Sequence, residues 1–88
     1  MTSSRVAIVN ALGLHARAAA KFVKLASGFR SQIRVTRSQR TVDGKSILGL
    51  LLLAAARGSQ IEITADGIDE TEALAALIAL VGRGFEEA

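Results

Sequence analysis

The chain has 88 residues, of which 50% are hydrophobic, with no cysteine, one histidine and a formal net charge of +3. This length predicts a single domain over residues 1–88, and the hydrophobic content excludes intrinsic disorder. The lack of cysteine excludes disulfides and thiolate metal sites, and with a single histidine we expect no metal ion and no cofactor.

The first predicted strand covers residues 5–9, which are short and β-branched. A loop over 10–13 follows, and Gly13 there is free to adopt backbone conformations that other residues resist. From Ala16 apolar residues recur at three- and four-residue spacing, which predicts a helix ending at Gly28. We expect its buried face to consist of Ala19, Phe22, Val23 and Ala26.

Two strands are predicted next. Residues 32–37 alternate apolar and polar side chains, with Ile33 and Val35 on the inner face. This pattern is typical of a half-buried strand in an antiparallel sheet. A turn at 38–39 leads into a third strand at 40–42. The prediction of this hairpin depends mainly on the spacing of the two strands, because the turn is not of the favoured Asn-Gly type.

An apolar run at 47–53 follows Ser46 and predicts a second helix, with Ser46 as its N-cap and Gly58 closing the segment. The run is too uniformly apolar for one buried face, because a short helix hides about half of its circumference. The simpler interpretation is that the core takes most of these side chains. The alternative is a docking patch, since exposed apolar clusters mark interfaces.

The last predicted elements are a strand at 60–65 and a closing helix. Asp69 and Glu72 have the spacing of a capping box before that helix, and glycines are expected to loosen its end. Its buried face should consist of Ala73, Leu74, Leu77, Ile78 and Val81. The order βαββαβα, with helices covering the apolar strand faces, predicts a two-layer α+β domain.

The chain carries no sign of a membrane or secretory segment. No basic region followed by an apolar stretch opens it, and the longest apolar run, 47–56, is far shorter than the roughly 20 residues of a membrane span. We therefore expect a cytoplasmic protein.

Basic residues are concentrated in the first two-thirds of the chain, which favours phosphate or acidic partners. Three phenylalanines are the only aromatic residues, so a nucleic-acid stacking platform is not expected.

The stretch Gly13-Leu14-His15-Ala16-Arg17 holds the only histidine. A lone histidine is more often structural, but this imidazole stands at a helix start, where the backbone N–H groups of Ala16 and Arg17 suit an anion. The guanidinium of Arg17 would pair bidentately with phosphate oxygens. The stretch predicts a phosphoryl-accepting histidine. A serine or cysteine triad is not expected, because no acidic residue is near His15 in the sequence to orient it.

A second stretch, Gly44-Lys45-Ser46, invites comparison with a phosphate-binding P-loop. That motif needs a glycine where this chain has Gln39, so the ATPase interpretation fails. Ser46 has two open interpretations, a simple N-cap and a regulatory phosphosite. The physics of the sequence alone favours the cap.

Together, the stretches 13–19 and 44–50, the strand around 61–63 and a final amphipathic helix resemble the HPr family, the histidine-containing phosphocarriers of the bacterial phosphotransferase system. The resemblance implies an open-faced β-sandwich, with a four-stranded antiparallel sheet covered on one face by three helices. It implies a carrier and not an enzyme, with His15 taking a phosphoryl group from phosphorylated enzyme I and passing it to an EIIA protein, and with Arg17 steadying the phosphate.

The resemblance also bears on the second stretch. It implies that Ser46 is the target of an ATP-dependent kinase, and that partners dock on Ile47, Leu48 and Leu51, with Arg17 and Lys24 as a polar rim. One departure is Ala18, where the family commonly has proline, a loss that should affect stability more than chemistry. Sugar uptake and metabolic-nitrogen regulation both remain open. The alternatives are a regulatory module controlled by Ser46 phosphorylation and a small RNA-binding domain.

Overall fold

The computed structural model of the chain describes residues 1–87, in which the elements follow the predicted order βαββαβα. The strands are β1 (Thr2–Ala7), β2 (Gln32–Arg37), β3 (Arg40–Asp43) and β4 (Gln60–Asp66). The helices are α1 (Ala16–Ala26), α2 (Ile47–Leu52) and α3 (Glu70–Gly82), and a single turn at Gly84–Glu86 follows α3.

The four strands form one antiparallel sheet in the order β1-β4-β2-β3. Val35 of β2 pairs with Ile63 of β4 and with Val42 of β3, which places these apolar side chains on the same face. Each helix contributes to the core that covers this face, through Phe22, Leu50 and Leu77. The predicted open-faced β-sandwich, with helices on one face of the sheet, is confirmed.

The first strand lies earlier in the chain than residues 5–9. Ser4 already pairs with Ile63, whereas Val9 is exposed and outside the ladder. The strand exists and overlaps the predicted range, but the predicted bounds were wrong because β1 is an edge strand whose first residues are threonine and serine, so hydrophobic alternation does not mark its beginning. Beyond the ladder, the backbone N–H of Ile8 still donates to the carbonyl of Ser59 at 2.8 Å.

Helix α2 begins where it was predicted but ends at Leu52, well before Gly58. Two arginines of the β2–β3 hairpin reach its last turn. Nη1 of Arg37 donates to the carbonyl of Leu53, and Nη1 of Arg40 donates to that of Leu52, each at 3.0 Å. Positive charge at a helix C-terminus satisfies unpaired carbonyls and complements the helix dipole. These bonds satisfy carbonyls at the end of this short helix, and Ala54, with φ +50°, leaves the helical conformation directly after it.

The capping box predicted at the start of α3 does not form. Asp69 occupies the N-cap position, but its carboxylate makes no bond to its own helix. It accepts hydrogen bonds from the backbone N–H groups of Arg30 and Ser31, at 2.8 and 2.9 Å, and from Oγ of Ser31 at 2.5 Å. Glu72 is exposed. Ser31, just before β2, is buried, and a buried donor without a hydrogen-bond partner costs free energy of folding. The carboxylate of Asp69 therefore bonds to Ser31 and not to its own helix.

Helix α3 buries three residues of the predicted face, Ala73, Leu77 and Val81, and also Leu80. Leu74 and Ile78 are partly buried against the same core. The helix ends at Gly82, the first of the two glycines expected at its end, and Gly84 has a left-handed φ of +64°. Phe85 is fully buried after it and fixes the chain there.

Candidate functional site

His15 lies at the N-cap of α1, as the sequence predicts. Its backbone is extended, with φ −81° and ψ 179°, and the helix starts at the next residue. Its carbonyl accepts from the backbone N–H of Ala19 at 2.8 Å. The imidazole makes no capping hydrogen bond and is therefore available for other contacts. Behind it, α1 packs Ala18, Ala19, Phe22 and Ala26 into the core, with Val23 partly buried.

The loop before His15 is fixed against the chain that follows α2. Gly13 has φ +66°, and a Cβ at this position would lie 2.6 Å from the carbonyl oxygen of Ala55. The backbone N–H of Leu14 donates to that same oxygen at 2.9 Å. Only glycine combines this left-handed conformation with such a close approach. Gly13 thus sets the position of His15 relative to the segment after α2.

The start of α1 has groups whose chemistry suits an anion. Ala16 and Arg17 lie in the first turn, where backbone N–H groups have no partner within the helix and the dipole is positive. No acidic residue lies in that turn. Arg17 is exposed and takes part in none of the ion pairs within residues 1–87. Arg17, Lys21 and Lys24 follow each other at helical spacing and form a basic stripe along α1.

A shallow concave surface connects these groups, lined by Ala11, Leu12, His15, Ala16, Arg17, Lys21, Glu86 and Glu87. Among the residues that the structure describes, no three His, Cys, Asp or Glu side chains are grouped so as to hold a metal ion. Within residues 1–87 there is also no helix with the length and apolar character of a membrane span.

The sequence did not reveal the acidic partner of His15. Oε2 of Glu87 contacts Nε2 of the imidazole, although the two residues are 72 positions apart. Oε1 of Glu87 accepts a hydrogen bond from Nδ2 of Asn10 at 2.9 Å, and the same amide donates to the carbonyl of Gly13 at 2.8 Å. The expectation that no acidic residue orients His15 is correct for its neighbours in the sequence but not for the folded chain, where Glu87 contacts it. The acidic residues at the end of the chain were the sole signal, and they do not specify a contact.

These contacts hold Glu87 ionised. The hydrogen bonds from Asn10 and with His15 keep the pKa of this carboxyl below its usual range, Lys21 acts in the same direction, and burial opposes them. Because the folded pKa is lowered, the stabilisation by Glu87 is present above the usual glutamate pKa of about 4.3 and is lost as the pH falls through the lowered value.

Helix α2 forms a second notable surface. Oγ of Ser46 accepts from the backbone N–H of Gly49 at 3.0 Å, so the predicted N-cap is confirmed, a contact worth about 1 kcal/mol. Leu50 is buried, whereas Leu48 is 69% exposed. The prediction that this run exceeds one buried face is confirmed. We call its exposed residues the α2 patch, namely Ile47, Leu48, Leu51 and Leu52.

The chain matches a protein family and named relatives over nearly its whole length. Residues 2–83 match the family described as PTS HPr component phosphorylation site. The phosphocarrier protein HPr of Neisseria meningitidis serogroup A is 49% identical over 87 residues, covering 99% of this chain and 98% of that protein. The phosphocarrier protein NPr of Escherichia coli K12 is 45% identical over 83 residues, covering 93% and 92%.

A solved structure agrees with this relationship. The crystal structure of HPr-C-His from Thermoanaerobacter tengcongensis superposes with a TM-score of 0.96 at 42% identity, covering 100% of this chain and 99% of the other. The relatives are named as phosphocarrier proteins, which confirms the prediction of a carrier rather than an enzyme. The chain therefore belongs to the HPr family of phosphoryl carriers of the phosphotransferase system.

Proposed function

We propose that His15 is the residue that carries the phosphoryl group in this protein, with enzyme I as donor and an EIIA protein as acceptor. One observation carries the proposal: the single imidazole of the chain lies at the positive end of α1, on a concave surface beside Arg17. The backbone N–H groups of Ala16 and Arg17 and the guanidinium of Arg17 would bind the phosphate oxygens.

The exposure of this surface favours a carrier. A carrier must hold its phosphoryl group well enough to receive it and loosely enough to release it. The His15 side chain is partly exposed, at 26%, and Arg17 beside it is exposed to solvent. A shallow, basic helix start therefore gives a second protein direct access to the phosphoryl group. The proposed compartment is the cytoplasm, where a carrier fed by phosphoenolpyruvate would meet its donor.

The test is phosphoryl transfer from labelled phosphoenolpyruvate through purified enzyme I. We expect label on this protein that is lost in acid and survives alkali, as a phosphoramidate does. No label from an enzyme I that phosphorylates another HPr in the same assay would contradict the proposal. The choice between a sugar-transport and a nitrogen-regulatory role follows from which purified EIIA protein then takes the label, since both HPr and NPr are relatives.

For partner docking we propose the α2 patch and the basic stripe of α1. Ile47, Leu48 and Leu51 are exposed, and the loop that bears His15 is bonded to the segment directly after α2. Exposed apolar clusters with a basic rim fit a partner with an apolar centre and an acidic edge. Arg17 and Lys24 would supply that rim.

A second proposed role is regulation through phosphorylation of Ser46. The observation that favours it is the position of Ser46, half-buried at the N-cap of α2 and next to the α2 patch. A phosphate is electrostatically tolerated at a helix N-terminus, so α2 would persist while its surface became anionic. A kinase that acts on Ser46 would thus control docking without disturbing the fold.

Replacing Ser46 with aspartate should weaken binding to enzyme I by about fivefold to tenfold, because a partner that covers the α2 patch must then desolvate a carboxylate beside it. Aspartate is itself a good N-cap, so the melting temperature should be unchanged within about 3 °C. Isothermal titration with enzyme I measures the affinity. The matched control is Thr71→Asp, which adds the same charge at an exposed position in the first turn of α3. Equal affinity of both variants would contradict this docking surface.

A further inference from the structure

Two arginines lie directly opposite each other at the tip of the β2–β3 hairpin. Arg37 and Arg40 form the last pair of this ladder, and only Ser38 and Gln39 connect them. Ser38 has φ +56°, a left-handed conformation for which a turn of this length usually has glycine, asparagine or aspartate. The tight turn therefore keeps the two arginines side by side. We call Arg37 and Arg40 the arginine pair.

The arginine pair lies on the face of the sheet that the helices cover. Val35 and Val42, which pair two positions away on the same ladder, point to this face, because side chains alternate along a strand. Like charges directly opposite each other on two strands destabilise a sheet. Among residues 1–87, neither guanidinium belongs to an ion pair. No carboxylate of the described chain therefore offsets the repulsion between Arg37 and Arg40.

The two guanidiniums are fixed in place and still have unused donors. Arg37 and Arg40 each donate through Nη1 to a carbonyl at the end of α2, at 3.0 Å. Among residues 1–87 these are the only hydrogen bonds of the two side chains, and a guanidinium has five N–H groups. The arginine pair can therefore bind an anion without rearranging, which reduces the entropy that binding costs.

The arginine pair adjoins both the α2 patch and the loop that bears His15. It lines a shallow concave surface together with residues 52–54. Leu52 on this surface is 55% exposed and belongs to the α2 patch. Directly after this segment, the carbonyl of Ala55 accepts from the backbone N–H of Leu14, next to His15. A protein that covers the α2 patch and reaches His15 therefore lies beside the arginine pair.

We propose that the arginine pair binds a carboxylate of enzyme I, at the edge of the surface that docks on the α2 patch. This inference rests on the proposed function, in which enzyme I is the phosphoryl donor, and it adds the chemistry of one contact with that partner. A carboxylate matches the planar fork of a guanidinium, and a carboxylate shared by Arg37 and Arg40 offsets their mutual repulsion. The partner surface has an apolar centre, which meets the leucines, and an aspartate or glutamate at its edge.

The shape of the surface favours a protein side chain over a free small anion. Arg40 is exposed and the concave surface is shallow, so a small anion stays hydrated there and is screened by salt. A protein that covers Leu52 excludes water from the same place, and the attraction between opposite charges is stronger where water is excluded. The exposed leucine supplies the apolar area that such a partner buries.

The experiment compares Arg40→Gln with Arg34→Gln by isothermal titration with purified enzyme I, at low and at high salt. The amide of a glutamine at position 40 can still donate to the carbonyl of Leu52, so the change removes the charge and keeps a donor for the helix end. Arg34 is exposed on the opposite face of the same hairpin, because it alternates with the buried Ile33 and Val35. Arg34→Gln thus removes the same charge away from the proposed contact. Arg40→Lys is the conservative variant.

We expect Arg40→Gln to weaken binding by about fivefold or more at low salt, and to reduce the dependence of the affinity on salt. Arg34→Gln should bind within about twofold of the wild type. Arg40→Lys should retain part of the affinity, because it keeps the charge but loses the fork. The salt dependence is the decisive readout, since a weakened α2 would lower the affinity without removing a charge contact.

Several results would overturn the inference. One is an unchanged affinity of Arg40→Gln at low salt, and another is an equal loss in Arg40→Gln and Arg34→Gln, which would reflect net charge alone. A loss with unchanged salt dependence would mean that Arg40 acts only by supporting α2. Saturable binding of inorganic phosphate at the arginine pair, with unchanged affinity for enzyme I, would assign the pair to a small anion. A dimer of the wild type that Arg40→Gln dissociates, again with unchanged affinity for enzyme I, would assign it to a second copy of this chain.

A failure of this inference is distinct from a failure of the proposed function. An enzyme I that labels the wild type and binds Arg40→Gln equally well refutes the contact with the arginine pair alone. A wild type that takes no label from an active enzyme I refutes the proposed function, and the contact with it.

Discussion

Replacing His15 with alanine should abolish phosphoryl acceptance and leave the fold intact. It is the only histidine in the chain, and the other groups on its concave surface are a guanidinium, an ammonium and carboxylates. None of these supplies a neutral nitrogen that attacks phosphorus near neutral pH. The expected result is a loss of label of at least about a thousandfold, which brings the signal to background.

The fold should survive because the imidazole does not support it. Its ring makes no capping bond to α1, and the carboxylate of Glu87 keeps its bond to Asn10. We expect the melting temperature to stay within about 5 °C of the wild type, since a change of 1 kcal/mol or less has this effect in a chain of this size. Labelling and an amide NMR spectrum should be recorded on the same sample.

The matched control for this experiment is Ser46→Ala, which should keep its label. An unfolded His15→Ala protein would leave the labelling result without meaning, and His15→Gln then serves as the second variant. Label that persists on a folded variant would show that another side chain carries the phosphoryl group. That result would refute the assignment of His15.

The parts of the fold predicted from the sequence are those with one apolar and one polar face. Strands β2 and β4 alternate because each is half-buried, and their predicted and observed starts coincide at Gln32 and Gln60. Strand β1 was misplaced because its first half is polar and at the sheet edge. The pattern of apolar residues in a sequence indicates which side of an element is buried. A strand at the edge of a sheet has only one neighbour and is less completely buried, so its pattern is weaker.

The residues of the candidate site also differ in whether the local sequence indicates them. His15 and Arg17 could be proposed from the sequence because a helix start and a basic residue two positions later lie in one local stretch. Asn10 and Glu87 were missed because their meeting depends on how α3 and the turn after it pack, which no local pattern encodes. The apolar excess of α2 was recognised from composition alone, since a helix of this length cannot bury so many leucines.

The capping box shows a competition that the sequence leaves undecided. Asp69 had the right position and spacing to cap α3, yet its carboxylate bonds to Arg30 and Ser31. The decisive quantity is the burial of Ser31, which has no exposed surface. A buried hydrogen-bond donor needs a partner within the protein, whereas the backbone N–H groups at an exposed helix start can bond to water. The cap prediction failed because this burial is a property of the whole fold.

Replacing Asp69 with alanine should therefore be strongly destabilising. The change removes the acceptor of three hydrogen bonds and leaves the N–H and Oγ–H of the buried Ser31 without a partner. We expect the melting temperature at pH 7 to fall by about 10 °C or more, since lost bonds to an ionised group and unsatisfied buried donors belong to the costly class of substitutions. Thermal unfolding followed by circular dichroism measures this shift.

The control is Asp66→Ala, which removes an exposed carboxylate three residues earlier. Its melting temperature should change by less than about 3 °C, because exposed charges contribute little. Ser31→Ala should lose part of the stability. The double variant should lose less than the sum of the two single variants, since the two residues share one hydrogen bond. Additive losses would contradict a direct contact between Ser31 and Asp69.

The pH dependence provides an independent test. The hydrogen bond from Oγ of Ser31, and then those from the backbone N–H groups of Arg30 and Ser31, lower the pKa of Asp69 below its usual value. A lowered folded pKa means that the stabilisation is complete above the unfolded value of about 3.9 and is lost as the pH falls through the folded value. The gap in melting temperature between wild type and Asp69→Ala should thus be constant from pH 7 to about pH 5 and should narrow below about pH 4. A gap that widens in acid would refute the role of Asp69 as an ionised acceptor.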